Sequence, residues 1–146
     1  MRLRPDVAID SRAVEAATRC LAHRGPDAEG VAHHPEFSFG HRRLSVIDLD
    51  PAANQPMADP TGQVFLTYNG EIYNFPELRD ELRRLGHVFL TASDTEVILH
   101  AWLEWGPACV ERLLGMFAFG LYDRRARHFF LVRDRLGVKP LYVRKQ

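Results

Sequence analysis

The residues with chemical potential in this sequence fall into a few short groups. Tyr68-Asn69-Gly70-Glu71-Ile72-Tyr73-Asn74-Phe75 places an amide, a glycine and a carboxylate in consecutive positions, with further polar groups close by. His23-Arg24-Gly25-Pro26-Asp27 is a polar loop rich in potential ligand groups, because Gly and Pro together end any helix before it. Arg42 and Arg43 sit in an apolar region. If this region is a strand, alternation turns one of them to solvent and the other inward, and an inward guanidinium wants a carboxylate. Asp94 is left over from a helix-capping pattern and either complements the helix dipole or holds a ligand. Cys20 and His23 could pair as thiol and base, yet a cysteine on the apolar face of a helix is expected to be inert core. His33-His34 has no Cys or His partner at zinc-finger or i, i+4 spacing, so no metal site is expected.

The elements that position these groups can be read in chain order. Asp10 or Ser11 caps a helix to about Leu21, with Val14, Ala17 and Leu21 on one face and Ala13, Ala16 and Cys20 beside them, a face expected to be buried. Phe37-Ser38-Phe39 and Arg43 to Leu49 read as strands, with Gly40 permitting a bend between them. Asp50 to Gly62 is a long loop, a cover or a rim. Val64 to Tyr68 is β-prone, Asn69-Gly70 favours a tight hairpin turn, and Glu71, Ile72 and Tyr73 would return. Asn74 with Glu77 and Pro76 predicts a helix start, and Leu78, Leu82 and Leu85 give its buried stripe as far as Gly86. Ser93-x-x-Glu96 is a capping box for a helix carrying Val97, Ile98, Ala101, Trp102 and Trp105, and a short helix near Ala108 to Leu114 follows. Met116 to Tyr122, Phe129 to Val132 and Leu141 to Val143 read as strands buried on both sides. Strands and helices without regular βαβ alternation predict an α+β layered sandwich.

Composition excludes several classes of function. The 146 residues suit one domain, and 46% hydrophobic with 26% charged residues is ordinary for a globular fold. Lys plus Arg equals Asp plus Glu at 19 each, so no net field steers nucleic acid or an anionic membrane surface. No apolar run is long enough for a membrane span, and no apolar segment follows Met1-Arg2-Leu3-Arg4 as a signal peptide would require, so a cytoplasmic setting is the expectation. The Gly-rich phosphate loop and the dinucleotide fingerprint are both missing.

The segments HRGPD (residues 23–27), GHRRLSVIDL (40–49), NQPM (54–57), YNGEIYNF (68–75), SDTEV (93–97), GMFAF (115–119) and RDRLGVKPLY (133–142) resemble, in order and spacing, the glutamine amidotransferase domain of asparagine synthetase. The hexosephosphate aminotransferases share the SDTEV and NG elements but differ around RLSVIDL. The resemblance implies an N-terminal-nucleophile hydrolase fold, a four-layer αββα sandwich, incomplete in this chain.

The activity it implies is hydrolysis of the glutamine side-chain amide, with ammonia passed to a synthetase domain that uses ATP and Mg to activate aspartate. No cofactor is expected in the present domain. By the same resemblance Arg43 clamps the glutamine α-carboxylate, Asp94 receives the α-ammonium and Glu71 helps to hold that end. Backbone at Leu44, Ser45, Val46 and Ile47 lines the pocket, and the Asn69 side chain with the Gly70 N–H forms an oxyanion hole. The family's nucleophile is a cysteine exposed at the N-terminus, with its own α-amine as base. Here Met1 is followed by Arg2, and Cys20 lies one helix later. The chain is therefore expected to lack the nucleophile strand and the domain's last strands, and to be inactive alone. Two alternatives stay open: a non-catalytic module that binds glutamine or a partner, and a related amidotransferase with another acceptor.

Overall fold

The computed structural model describes residues 10–144. Helix α1 (Ser11–Cys20) is capped by Asp10, whose carboxylate accepts the Ala13 N–H at 3.1 Å. Strands β1 (Ala28–His34) and β2 (Phe37–Arg43) form an antiparallel pair in unbroken register from Ala28↔Arg43 to His34↔Phe37. Gly40 therefore introduces no bend. It serves close approach instead: a Cβ there would lie 1.9 Å from Thr18 Oγ1 and 3.4 Å from Val14 Cγ1. The helix packs on β2 through this Val14–Thr18 stripe, with Thr18 as its buried residue. The expected apolar face, Ala13, Ala16, Ala17 and Cys20, is exposed instead, and Leu21 is 49% exposed.

After a short 3-10 turn (Pro51–Ala53), the second sheet runs β3-β4-β5-β6, antiparallel throughout. Its strands are β3 (Met57–Ala58), β4 (Val64–Ile72), β5 (Gly115–Asp123) and β6 (His128–Arg133). The hairpin expected at Asn69-Gly70 does not form. β4 runs straight through it, pairing residue by residue with β5 from Val64↔Asp123 to Ile72↔Gly115. Nine consecutive paired positions outweigh the local turn preference of an Asn-Gly pair. Gly70 is needed here for crowding, since a Cβ would fall 2.2 Å from the Met116 carbonyl oxygen.

Helices α2 (Phe75–Arg84) and α3 (Asp94–Trp105) cover one face of this sheet. Asn74 precedes α2 without capping it. Its amide donates to the Arg112 carbonyl at 3.0 Å and accepts the Leu114 N–H at 2.9 Å, which ties the helix entry to the approach to β5. Leu78 and Leu82 are buried as expected, whereas Leu85 is half-exposed. A 3-10 segment (Gly106–Arg112) replaces the expected short helix. Leu141 to Val143 forms no strand, and neither does Leu44 to Leu49, where Leu44, Val46 and Leu49 project outward at 61–77% exposure.

Alternation along β4 and β5 builds two cores. Val64, Leu66, Tyr68 and Ile72, with Phe117, Phe119 and Leu121, face the helices and pack on Leu78, Leu82, Val97, Ile98 and Trp102. On the other face, Phe65 and Tyr122 meet Phe37 and Phe39 of β2 in an aromatic cluster with ring centroids about 5 Å apart. Each fully buried side chain of this size contributes about 1.5–3 kcal/mol. The layers are thus helix, two-stranded sheet, four-stranded sheet and helices, the αββα order expected. Among the described residues no helix is long and apolar enough to cross a membrane, and no cluster of three or more His, Cys, Asp or Glu could hold a metal.

Candidate functional site

The inter-sheet aromatic cluster stops at Tyr122, and beyond it β5 continues on the same face with Gly120, Ala118 and Met116. Gly120, against Phe39 and Phe129, and Ala118 put little side chain on this part of the floor. A cavity of about 600 Å³ opens there, bounded by β4, β5, the end of β2, residues 44–48 and the start of α3. Arg43, Leu44, Val46, Ile47, Asn69, Gly70, Glu71 and Asp94 all line it. Ser45 does not line it, but its N–H donates to Asp27 Oδ2 at 2.7 Å, and the Asp27 N–H donates to the Arg43 carbonyl at 3.0 Å. The polar loop at residues 23–27 thus braces the rim through Asp27, and its Arg24 lines the cavity.

Arg43 is the inward arginine, only 9% exposed, and Arg42 pairs with Glu29 at 2.5 Å. The hydrogen-bond partners of Arg43 among the described residues are neutral oxygens, not carboxylates. Its Nη1 donates to the Asp50 carbonyl at 3.2 Å and to Asn54 Oδ1 at 2.8 Å, and its Nη2 donates to the Asp48 carbonyl. Three of its five N–H donors are held by neutral oxygens, which leaves two without a partner among the described residues, and no carboxylate oxygen is hydrogen-bonded to it. His41 stands beside it, with Nδ1 3.3 Å from Thr67 Oγ1. Burial first, and then the Arg43 charge, lower the His41 pKa to about 4, so His41 is neutral near pH 7 and Arg43 carries the charge of this wall.

Across the cavity Asp94 is 5% exposed. It follows Ser93, whose hydroxyl caps α3 by accepting the Glu96 N–H at 3.3 Å. The expected capping box is half-formed. The Glu96 carboxylate turns instead to the Leu90 and Thr91 N–H groups and the Thr91 hydroxyl at 2.7–2.8 Å, shaping the loop before the helix. Asp94 Oδ2 accepts from the Tyr68 hydroxyl at 2.6 Å and from the Ile72 N–H at 3.0 Å. A buried cation and a buried anion therefore face one cavity without touching each other, an arrangement suited to a zwitterion.

Sequence reasoning missed Tyr68, Gln55 and Asp48. Gln55 lines the cavity, where its Oε1 accepts the Tyr68 N–H at 2.6 Å and its Nε2 donates to Thr95 Oγ1 at 3.2 Å. Asp48 Oδ2 accepts the Ala92 N–H at 2.7 Å across the rim. Tyr68 at the end of the apolar run Val64–Tyr68 was the available signal, since a buried polar group needs a partner; Gln55, in a polar loop, offered none. The two cysteines stand apart from this site. Cys109 is fully buried and burial pushes its thiol up to about 12, while Cys20 is exposed and does not line the cavity.

Comparison with known proteins identifies the family. A family model described as a glutamine amidotransferase domain matches residues 4–146. Glutamine-hydrolysing asparagine synthetase 3 of Bacillus subtilis is 43% identical over 139 residues, covering 94% of this chain and 22% of its own length. A glutamine-hydrolysing asparagine synthetase of Sandersonia aurantiaca is 45% identical over 127 residues, covering 86% of this chain and 23% of its own. The chain thus spans less than a quarter of these curated relatives. Among solved structures, glutamine phosphoribosylpyrophosphate amidotransferase from Bacillus subtilis superposes with a TM-score of 0.51 at 25% identity, covering 61% of this chain and 21% of that one. With its αββα layers, its charge-divided cavity and a family match over nearly every residue, the chain belongs to the glutamine amidotransferase domain family.

Proposed function

We propose that the cavity binds L-glutamine, and that the chain serves as the glutaminase part of a glutamine-dependent asparagine synthetase. Arg43 takes the α-carboxylate through its two remaining donors, a bidentate charge-assisted contact. Asp94 takes the α-ammonium, and Glu71 adds negative charge at the same end. The side-chain amide of the ligand then lies toward Asn69 and Gly70. There the Asn69 amide and the Gly70 N–H stabilise the oxyanion that develops on hydrolysis, a contribution typically worth about 100-fold or more in rate. Backbone at Leu44, Ser45, Val46 and Ile47 forms the rim over the aliphatic part of the ligand.

The destination of the ammonia is supported by the names of the relatives, which are glutamine-hydrolysing asparagine synthetases. The ATP- and Mg-dependent activation of aspartate belongs, on this reading, to a synthetase domain outside the matched portion. The observation that carries the proposal is the pairing of Arg43 and Asp94, both buried and both lining one cavity. Calorimetric titration with L-glutamine tests it. Arg43→Ala and Asp94→Ala should each weaken binding by about tenfold or more, as expected for losing a hydrogen bond to a charged group. Unchanged affinity in both variants would place the glutamine site elsewhere.

A further inference from the structure

The Asp94 carboxylate is held from one side only. Its Oδ2 carries both described donors, the Tyr68 hydroxyl at 2.6 Å and the Ile72 N–H at 3.0 Å, while no described residue donates to Oδ1. Tyr68 itself is immobilised. Its ring is 4% exposed, packed on the helix side of β4, and its N–H is fixed by Gln55, whose other end bonds Thr95 in the first turn of α3. Burial above all, and then the negative charge of Asp94, push the phenol pKa far up, so the hydroxyl remains a donor at any working pH. Two fixed donors on one oxygen define the plane of the carboxylate, and the strand that supplies both also supplies Asn69, Gly70 and Glu71 to the cavity.

We infer that Tyr68 is a specificity-determining positioning residue: its hydroxyl orients Asp94 so that the opposite carboxylate oxygen meets an α-ammonium group, which selects α-amino acids over their deamino analogues. The inference rests on the glutamine reading of the cavity. Tyr68 lines the cavity, but in this scheme its hydroxyl acts through Asp94 alone, so the effect of removing that hydroxyl should vanish for a ligand that has no amine.

Calorimetry on the 146-residue chain with L-glutamine and with 4-carbamoylbutanoate, the same molecule without the amine, separates the possibilities. Tyr68→Phe keeps the ring and removes the hydroxyl. It should weaken glutamine binding about tenfold, the loss typical of one hydrogen bond to a charged group, and leave 4-carbamoylbutanoate unaffected. In an Asp94→Asn background, Tyr68→Phe should cost much less than it does in the parent, because the two residues act as one unit. Should the analogue bind too weakly to measure, this double-variant comparison decides alone. Equal losses for both ligands, or fully additive losses in the double variant, would reduce Tyr68 to a packing role and overturn the inference. If the parent and Tyr68→Phe bind glutamine equally, only the role of Tyr68 fails; if the parent binds no glutamine, the reading of the whole cavity fails with it.

Discussion

Arg43 and Asp48 are joined across the four residues 44–47: the guanidinium donates to the Asp48 carbonyl, and the Asp48 carboxylate accepts the Ala92 N–H at 2.7 Å. The cation of the cavity and the loop that leads into the anion-bearing helix are thus mechanically connected. Hydrogen bonds from the Asp50 and Ala92 backbones hold the Asp48 carboxyl below its ordinary pKa, so it is ionised throughout the physiological range. Asp48→Ala should loosen residues 44–50 without disturbing the sheets. The expected result is faster amide hydrogen exchange at Ala92 and a several-fold loss of glutamine affinity, with little change in melting temperature.

His41 gives the fold a pH dependence of predictable sign. Its pKa falls from 6.5 to about 4 on folding, so between those values the unfolded chain binds more protons than the native one. Stability is fully present above pH 6.5 and is lost as the pH falls toward 4, by an amount on the order of 3 kcal/mol from this residue. His100, lowered chiefly by burial, acts in the same direction. Urea midpoints measured from pH 7 to pH 4 should fall, and His41→Gln should flatten that slope. The depressed carboxylates Asp48, Asp59 and Asp123 act only at more acidic pH, below about 4.

Gly70→Ala should be severely destabilising. The new methyl group would meet the Met116 carbonyl oxygen at 2.2 Å, and neither backbone can yield without breaking the pairing of β4 with β5. A loss of about 2 kcal/mol or more in denaturant unfolding is expected. An unaltered midpoint would mean that the two strands lie farther apart than described.

The two thiols should separate cleanly in a titration with a chromogenic disulfide. Cys20 is exposed and should react in the native protein, whereas Cys109, fully buried with its pKa pushed up to about 12, should react only on unfolding. Two fast thiols in native buffer would contradict the core packing around Cys109.

Apolar spacing made α2, α3, β5 and β6 legible in the sequence. α2 buries the Leu78–Leu82 stripe, α3 is buried all round from Asp94 to Trp102, and β5 is buried on both faces as expected. β6, expected to be buried on both sides, is instead an edge strand with no fully buried residue. Where local preference and tertiary pairing compete, the sequence misleads. Asn69-Gly70 is a turn pair held straight by β5, and Leu44 to Leu49 is an apolar run that forms an exposed rim. β1 carried no such signal: its residues are Ala, Glu, Gly, Val and His, and it becomes a strand only because β2 lies beside it. The resemblance named eight residues that line the cavity and one, Ser45, that does not, yet the partners of Asp94 were invisible, since Tyr68 lies 26 positions away and meets it only across the sheet–helix interface.

The bare stretch of β5 makes ligand size and structural integrity separate problems. Phe117, Phe119 and Leu121 anchor one side of that strand in the main core, while Ala118 and Gly120, between them, determine how deep the cavity goes. A bulkier residue at position 118 would raise the floor beneath a ligand without displacing any residue that holds the helices. One ribbon therefore carries two records, one of what the domain is made of and one of what it has room for.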